Sequence, residues 1–415
     1  MFKRMNASKR NLYILTFVLF VVMLGYGIVI PILPFYIESM GAGGTELGFL
    51  VASYAVMRLI FGPIWGGLSD RIGRKPILLI GISGYAITMI WFGLANTLWM
   101  LFAARILSGV LSSATAPTTM AFIGDSTPEN ERGGGMGLMG AAGGIGTIVG
   151  PVLGGFLADE SLSTPFFLAA GLSILSLLLA IVFLPESLPA EARQVSQKKE
   201  KLIDLKAWGQ AINSPIGSLL MLTFISTCGL MIFANVFGLY ALEKFDFGPD
   251  DVGVMMMVLG LVSAIAQGLL AGPATKKWGD GIVIKGGLLA TALSFGLMLL
   301  ANTYMTILLA TAFFALTVAL QVPALTSLTS RRATIPQGIA MGLSNSFVSL
   351  GRIVGPLFGG YIFDVNIFLP YISGSAIMVI AFIVSLLTLK GAKIDYVGAK
   401  LGESGYEKNK PVEMS

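Results

Sequence analysis

Three arginines stand where a basic side chain is costly. Arg58, Arg105 and Arg352 each lie inside a long apolar stretch of the sequence. An arginine at the centre of a membrane helix costs on the order of 2.5 to 3.5 kcal/mol on insertion, so these side chains should face a cavity or a polar partner rather than lipid. We interpret them as cavity residues. Hydrogen bonding to carbonyl groups at helix breaks is the alternative role.

Amide and aromatic side chains in the same stretches are weaker candidates for that cavity. An amide in an apolar helix is as well suited to bonding a neighbouring helix as to contacting a ligand, and an aromatic ring most often packs or faces lipid. The residues concerned are Asn235, Gln267, Gln321, Asn345, Phe17, Phe20, Tyr26, Tyr54, Phe233 and Phe237. We include Asn235, Gln267 and Gln321 among the predicted cavity residues.

Composition restricts the acid–base and metal chemistry of the chain. There is no histidine, and Cys228 is the single cysteine, which excludes a disulfide framework and a cysteine-rich metal cluster. Neither a metal nor a cofactor is expected, and a proton carrier would have to be a carboxylate. No acid lies deep in an apolar stretch. Glu38 and Asp125 lie at the ends of two stretches and are the possible proton carriers.

The apolar stretches predict twelve membrane-spanning helices. Of 415 residues, 55% are hydrophobic and only 12% are charged, and stretches of roughly 20 apolar residues match the thickness of the hydrocarbon layer. The predicted spans are 11–37, 46–68, 76–95, 98–121, 134–158, 165–184, 216–242, 250–272, 281–300, 303–328, 337–363 and 367–389. We expect an all-α integral membrane protein with a six-helix bundle (1–184), a cytoplasmic linker (185–215), a second six-helix bundle (216–389) and a tail (390–415).

The distribution of basic residues predicts the orientation of these spans. With the N-terminus inside, 23 of the 27 Lys and Arg residues fall on cytoplasmic segments. The positive-inside rule then places both termini in the cytoplasm of a multi-pass cell-membrane protein. Because these residues flank apolar spans, the formal charge of +5 indicates a lipid bilayer as the partner and not nucleic acid.

The two halves of the chain repeat each other. Six small residues recur at one offset of 205 residues: Gly137, Gly146, Gly150, Pro151, Gly154 and Gly155 match Gly342, Gly351, Gly355, Pro356, Gly359 and Gly360. Such a match indicates a duplicated six-helix unit. Duplicated membrane halves are typical of alternating-access transporters.

A charged, glycine-containing segment begins at the end of the second predicted span. The sequence from Gly66 to Lys75 is GGLSDRIGRK, and it resembles the signature loop of the major facilitator superfamily at every characteristic position. We expect a loop here, with Asp70 able to meet an arginine or a helix N-terminus across the two halves. The predicted conformational latch consists of Gly66, Asp70, Arg71, Gly73 and Arg74. The second half has Lys276 in place of the acid.

Further motifs resemble the twelve-helix drug:proton antiporters of that superfamily. The repeat residues from Gly137 to Gly155 are similar to the antiporter motif of this branch, and Arg105 followed by Gly109 is similar to its intramembrane arginine motif. Small residues four apart allow a facing helix to approach closely, and the proline kinks the helix. The sequence departs from cation-exporting relatives, because Asn235 and Ala319 stand where those proteins carry a carboxylate.

The resemblance implies a major facilitator fold and proton-coupled efflux of amphipathic small molecules or drugs. The expected partners are a small-molecule substrate and protons, the expected state is a monomer, and no enzymatic activity is expected. An exporter of a metabolite such as a sugar or organic anion is one alternative, and a non-transporting receptor or sensor is another. Since no deep acid neutralises the three arginines, neutral, zwitterionic or anionic compounds should be preferred over lipophilic cations.

Overall fold

The structure is a computed structural model that describes residues 7–189, 193 and 214–389. Within these residues, twelve helices are long and apolar enough to cross a membrane. They are α1 (Ala7–Glu38), α2 (Gly44–Ile72), α3 (Arg74–Leu94), α4 (Leu98–Ser126), α5 (Glu129–Glu160), α6 (Thr164–Phe183), α7 (Gly217–Phe245), α8 (Pro249–Trp278), α9 (Asp280–Leu300), α10 (Tyr304–Arg332), α11 (Gln337–Val365) and α12 (Leu369–Thr388). The predicted linker lies mostly outside the described residues, and the predicted tail lies entirely outside them.

The all-α fold with twelve spanning helices is confirmed, but one predicted loop is wrong. Helix α2 continues to Ile72, so residues 66–72 are helical. Hydropathy marks where the hydrocarbon ends, whereas the hydrogen bonds of a helix continue into the polar region. The turn between α2 and α3 is reduced to Gly73, whose φ is 112°, a conformation that glycine adopts at little cost.

Two of the helices are irregular. Helix α4 is interrupted at Ser113 and Ala114, because Pro117 lacks the N–H group that would bond the carbonyl of Ser113. Helix α8 contains a π-helical turn at Ala266–Leu270. Such turns are frequent at functional sites, and this one includes Gln267.

The bundle has two chemically different ends. We call the end that carries Arg71, Lys75, Arg132 and Lys277 the basic end, and the opposite end the far end. The largest apolar core includes residues of both halves, whereas two smaller cores lie at the basic end, one in each half. The halves therefore share apolar contacts towards the far end and have separate cores at the basic end.

Glycines allow the halves to meet closely at the far end. Helix α2 packs on α11 and α5 packs on α8. A Cβ built on Gly44 would lie 2.7 Å from the carbonyl oxygen of Gly360, and one built on Gly155 would lie 2.9 Å from the Cα of Asp250. At the basic end, a Cβ built on Gly342 of α11 would have no atom of the described residues within 4 Å. Within the part of the chain that the structure describes, the space between the halves is thus closed at the far end and open at the basic end.

Candidate substrate cavity

A cavity lies between the two halves. Its main part has a volume of about 420 Å³ and is lined by residues of α1, α2, α4, α7 and α11. A side pocket of about 230 Å³ extends to Tyr85 of α3 and Ser112 of α4. Cavities of roughly 300 to 1,000 Å³ hold drug-sized ligands. The structure places Arg58, Arg105 and Arg352 in the wall of both parts.

Arg105 is buried in this wall, with 4% of its surface exposed. Its Cζ lies 4.6 Å from the centroid of the Tyr54 ring, which is close enough for a cation–π contact. The Tyr54 ring lies 6.3 Å from the ring of Tyr26. The Nε atom of Arg105 and the hydroxyl of Tyr85 are both buried without a hydrogen-bond partner among the described residues. Two polar groups of the side pocket are thus left open for bonding.

The other two arginines approach the cavity from opposite halves. Arg58 lies one turn after Tyr54 on α2, and the phenol of Tyr54 interacts with its guanidinium. Arg352 lies on α11 and is exposed. The described residues that line the cavity include no Asp or Glu, and the ion pairs of the described chain do not include these arginines. The cavity wall is therefore positively charged.

The predicted amides are placed in three different surroundings. Asn235 lines a small extension of about 60 Å³ beside Arg105, and its Nδ2 donates to the carbonyl of Pro356 at 3.4 Å. Gln321 is buried away from the cavity, where its Nε2 donates to the Thr291 hydroxyl at 2.6 Å. Gln267 is exposed in the π-helical turn and is not among the residues that line the cavity. Of the three, Asn235 alone lies where a ligand in the cavity could reach it.

Comparison with known proteins identifies the family. The model of the Major Facilitator Superfamily matches residues 15–267 and 219–404. The chain belongs to the major facilitator superfamily. It is therefore a multi-pass membrane transporter, and the alternative of a receptor without transport is not supported.

Curated relatives and solved structures agree with this assignment. Multidrug resistance proteins 2 and 1 of Bacillus subtilis are 31% and 33% identical, over 91% and 88% of this chain and 95% and 93% of theirs. Quinolone resistance protein NorA of Staphylococcus aureus is 29% identical, over 87% of this chain and 92% of its own. The expected resemblance to the drug:proton antiporter branch is confirmed.

Two solved transporters share the fold. The nucleoside transporter NupG has a TM-score of 0.77 at 16% identity and covers 93% of this chain and 100% of its own. A bacterial homolog of the lysosomal transporter Spinster has a TM-score of 0.77 at 14% identity and covers 91% and 96%. At these identities the likeness concerns the fold alone.

The superfamily latch segment forms its contacts within the first half. Arg74, at the start of α3, forms ion pairs with Asp70 and, at 3.0 Å, with Asp125. Glu186 accepts a hydrogen bond from the backbone N–H of Arg74 at 2.8 Å. A Cβ built on Gly66 would have none of the described atoms within 4 Å, and Arg71 is exposed. In this conformation Asp70 thus pairs with its own half, and its role as a latch between halves stays a prediction.

The residues of the antiporter motif lie on α5 and contact two other helices, α1 and α8. A Cβ built on Gly150 of α5 would lie 2.9 Å from the Cα of Gly27 on α1, whereas one built on Gly137 would have no described atom within 4 Å. Pro151 and Gly155 face α8 of the other half at Gly253. The motif therefore combines packing within the first half with packing across the interface, and its role in antiport stays a prediction.

One contact across the halves was missed by the sequence reasoning. The carboxylate of Asp364, near the end of α11, accepts hydrogen bonds from the backbone N–H of Gly44 at 2.7 Å and of Thr45 at 2.8 Å, and from the Thr45 hydroxyl. It therefore caps the N-terminus of α2. The sequence contains a signal for this residue, because Asp159 and Asp364 continue the 205-residue repeat of the glycines.

Proposed function

We propose that this transporter exports amphipathic small molecules from the cytoplasm in exchange for protons. Its relatives named for multidrug and quinolone resistance support the substrate class. The observation that carries the proposal is the cavity between the halves, which is open at the basic end and closed at the far end by contacts such as Gly44 on Gly360. The positive-inside rule makes the basic end cytoplasmic, with both termini on that side.

The transport cycle requires that the two halves rock about the cavity. Opening of the far end would separate α2 from α11 and α5 from α8, and closing of the basic end would bring Asp70 of the first half close to the second half. Each chain contains both halves that enclose the cavity, so we propose that a monomer is the working unit.

Proton coupling requires a group whose protonation favours one conformation over another. Of the two candidate carboxylates, Asp125 is the better supported, because its ion pair with Arg74 at 3.0 Å would be lost on protonation. Glu38 is exposed at the far-end terminus of α1, where its charge has solvent access. Neither carboxylate lines the cavity, so we propose that the proton acts on the latch segment rather than at the substrate itself.

Transport by purified protein in proteoliposomes tests the proposal. A panel of a quinolone, a phenicol, a tetracycline and the cations ethidium and tetraphenylphosphonium is added while internal pH is recorded under an imposed proton gradient. We expect substrate-induced proton movement that is absent from protein-free vesicles and reduced in Asp125→Asn. Substrate flux that is indifferent to the proton gradient would contradict exchange with protons.

Export of a physiological organic anion is the second candidate. It is favoured by the three arginines of the cavity wall, which no carboxylate among the described lining residues neutralises. The same assay is repeated with small organic anions. Proton-coupled flux of these anions, together with no flux of any drug in the panel, would support this candidate over drug efflux.

A further inference from the structure

We propose that the cavity contains a carboxylate-binding subsite formed by Arg58, Arg105 and Arg352, with the rings of Tyr26 and Tyr54 as a wall for an aromatic substrate. The inference rests on the proposed function, since it assigns a chemical class to the exported molecule: an aromatic acid or a zwitterion that carries a carboxylate. Such a cavity differs from one that binds lipophilic cations through an acidic residue.

The first argument is the unsatisfied bonding capacity of the side pocket. Arg105 is 4% exposed, and its Nε has no partner among the described residues. The buried hydroxyl of Tyr85, which lines the same pocket, has none either. Buried polar groups in folded proteins are nearly always hydrogen-bonded. A carboxylate supplies acceptors for both groups, because its two oxygens offer about four lone-pair sites.

The second argument is charge. Three guanidinium groups line one cavity, and no Asp or Glu is found among its described lining residues. Opposite charges attract far more strongly in a low-dielectric cavity than in water, and like charges repel more strongly. An anionic group is thus held in this cavity, and a permanent monocation is disfavoured.

The third argument is the geometry of Arg105 on Tyr54. The guanidinium Cζ lies 4.6 Å from the ring centroid, and the Nε at the edge of the guanidinium has no hydrogen-bond partner among the described residues. A guanidinium edge pairs with a carboxylate through two parallel hydrogen bonds. The centroids of the Tyr26 and Tyr54 rings lie 6.3 Å apart. An apolar aromatic surface therefore adjoins the predicted position of the carboxylate.

A purely structural role does not account for all three arginines. Arg58 and Arg105 both interact with Tyr54, and such contacts could serve packing alone. Arg352 belongs to the other half, is exposed and lines both parts of the cavity. Its presence opposite the first two arginines is explained by a ligand that contacts both halves.

Equilibrium binding to the purified transporter in detergent tests the subsite. The probes share one ring system and differ in charge: naphthoate, its methyl ester and naphthylmethylammonium, measured by calorimetry near neutral pH. The variants are Arg352→Gln, which removes an exposed side chain and should fold normally, and Arg105→Lys, which keeps the charge but loses the planar donor edge. Lys277→Gln is the matched control, since Lys277 contacts the Trp278 ring at the basic end and does not line the cavity.

We expect wild type to bind naphthoate about tenfold more tightly than the ester, and the ammonium compound most weakly. Arg352→Gln and Arg105→Lys should each lower the affinity for naphthoate about tenfold and leave the affinity for the ester nearly unchanged, while Lys277→Gln should change neither. The proposal is overturned if the ester or the ammonium compound binds as tightly as naphthoate, or if the arginine variants weaken all three probes alike.

This binding test is independent of proton coupling. Arginine-dependent naphthoate binding together with no proton exchange in proteoliposomes would leave the subsite standing and refute the proposed exchange. Proton-coupled export by a protein whose arginine variants bind all three probes like wild type would refute the subsite and leave the export function standing.

Discussion

Among single residues, Arg105 is the one whose replacement should be least tolerated. It is buried, makes a cation–π contact with Tyr54 and lines the cavity. We expect both Arg105→Ala and Arg105→Lys to lower kcat/KM for export by about tenfold or more, because lysine lacks the planar donor edge. Transport assays on proteoliposomes with matched protein content measure this. Full export by Arg105→Lys would show that only the positive charge is needed.

Replacement of a single residue, Asp70, tests the predicted latch. Its side chain is 40% exposed and pairs with Arg74, so its replacement should not disturb substrate binding. We expect Asp70→Asn to leave ligand affinity nearly unchanged and to reduce turnover about tenfold, because a contact that stabilises the other conformation is lost. Lys276→Gln, at the equivalent place in the second half, should have a mild effect. Turnover of Asp70→Asn at the wild-type rate would be incompatible with a latch.

At the scale of helices, two glycines of the antiporter motif on α5 allow a test of helix packing with a matched control. Gly150 lies against Gly27 of α1, whereas a Cβ on Gly137 would have no atom of the described chain within 4 Å. A methyl group forced into a close-packed contact costs about 1 to 3 kcal/mol, and alanine is otherwise a better helix former than glycine. Gly150→Ala should therefore lower the apparent Tm and the transport rate, and Gly137→Ala should lower neither. Equal tolerance of both substitutions would mean that α1 and α5 do not depend on this contact.

Two pairs of helices are fastened by equivalent ion pairs of opposite polarity. Arg74 of α3 pairs with Asp125 of α4 at 3.0 Å, and Asp280 of α9 pairs with Arg331 of α10 at 3.5 Å. Both residues of the first pair are offset by 206 positions from those of the second, one more than the offset of the glycine repeat. Each pair fastens consecutive helices of one half at the basic end, so the polarity of the pair is not what the fold requires.

Reversal of the second pair tests this interpretation. Asp280 is buried and Arg331 is partly exposed, so Asp280→Ala should destabilise the protein by about 1 to 2 kcal/mol, between the values for exposed and buried pairs. The double variant Asp280→Arg with Arg331→Asp copies the polarity of the first half and should recover most of the apparent Tm that Asp280→Arg alone loses. A double variant no more stable than Asp280→Arg would argue against a simple pair.

For the whole molecule, Asp364 is expected to control the balance between conformations. It caps the N-terminus of α2 from α11, across the halves. Loss of this cap should cost the far-end-closed state about 2 kcal/mol, or roughly a 30-fold shift in population. We expect Asp364→Ala to bring spin labels placed across the basic end closer together in distance measurements.

Glu46→Gln is the control for that measurement, because Glu46 bonds the Gly43 N–H at 3.0 Å within its own half. A label distance in Asp364→Ala that stays at the wild-type value would contradict the assignment of Asp364 as a closing contact.

Much of the fold was predictable, because its signals are local in the sequence. Each predicted span corresponds to one helix, since a run of about 20 apolar residues has few alternatives in a bilayer. The limits of α2 were not predictable, because helical hydrogen bonds continue past the hydrocarbon boundary. The break of α4 has a local cause in Pro117, yet its position beside the side pocket depends on packing.

The sequence by itself determined the membrane class, the twelve helices, the duplicated halves and the presence of three arginines that must avoid lipid. These follow from hydropathy and from the cost of a charge in hydrocarbon. Only the tertiary structure decided which polar residues meet. It brought Arg58, Arg105 and Arg352 to one cavity, sent Gln321 to an interhelical hydrogen bond, and joined Asp364 to α2 across some 320 residues of chain. Such tertiary contacts depend on the relative orientation of rigid helices, which a local sequence pattern does not specify.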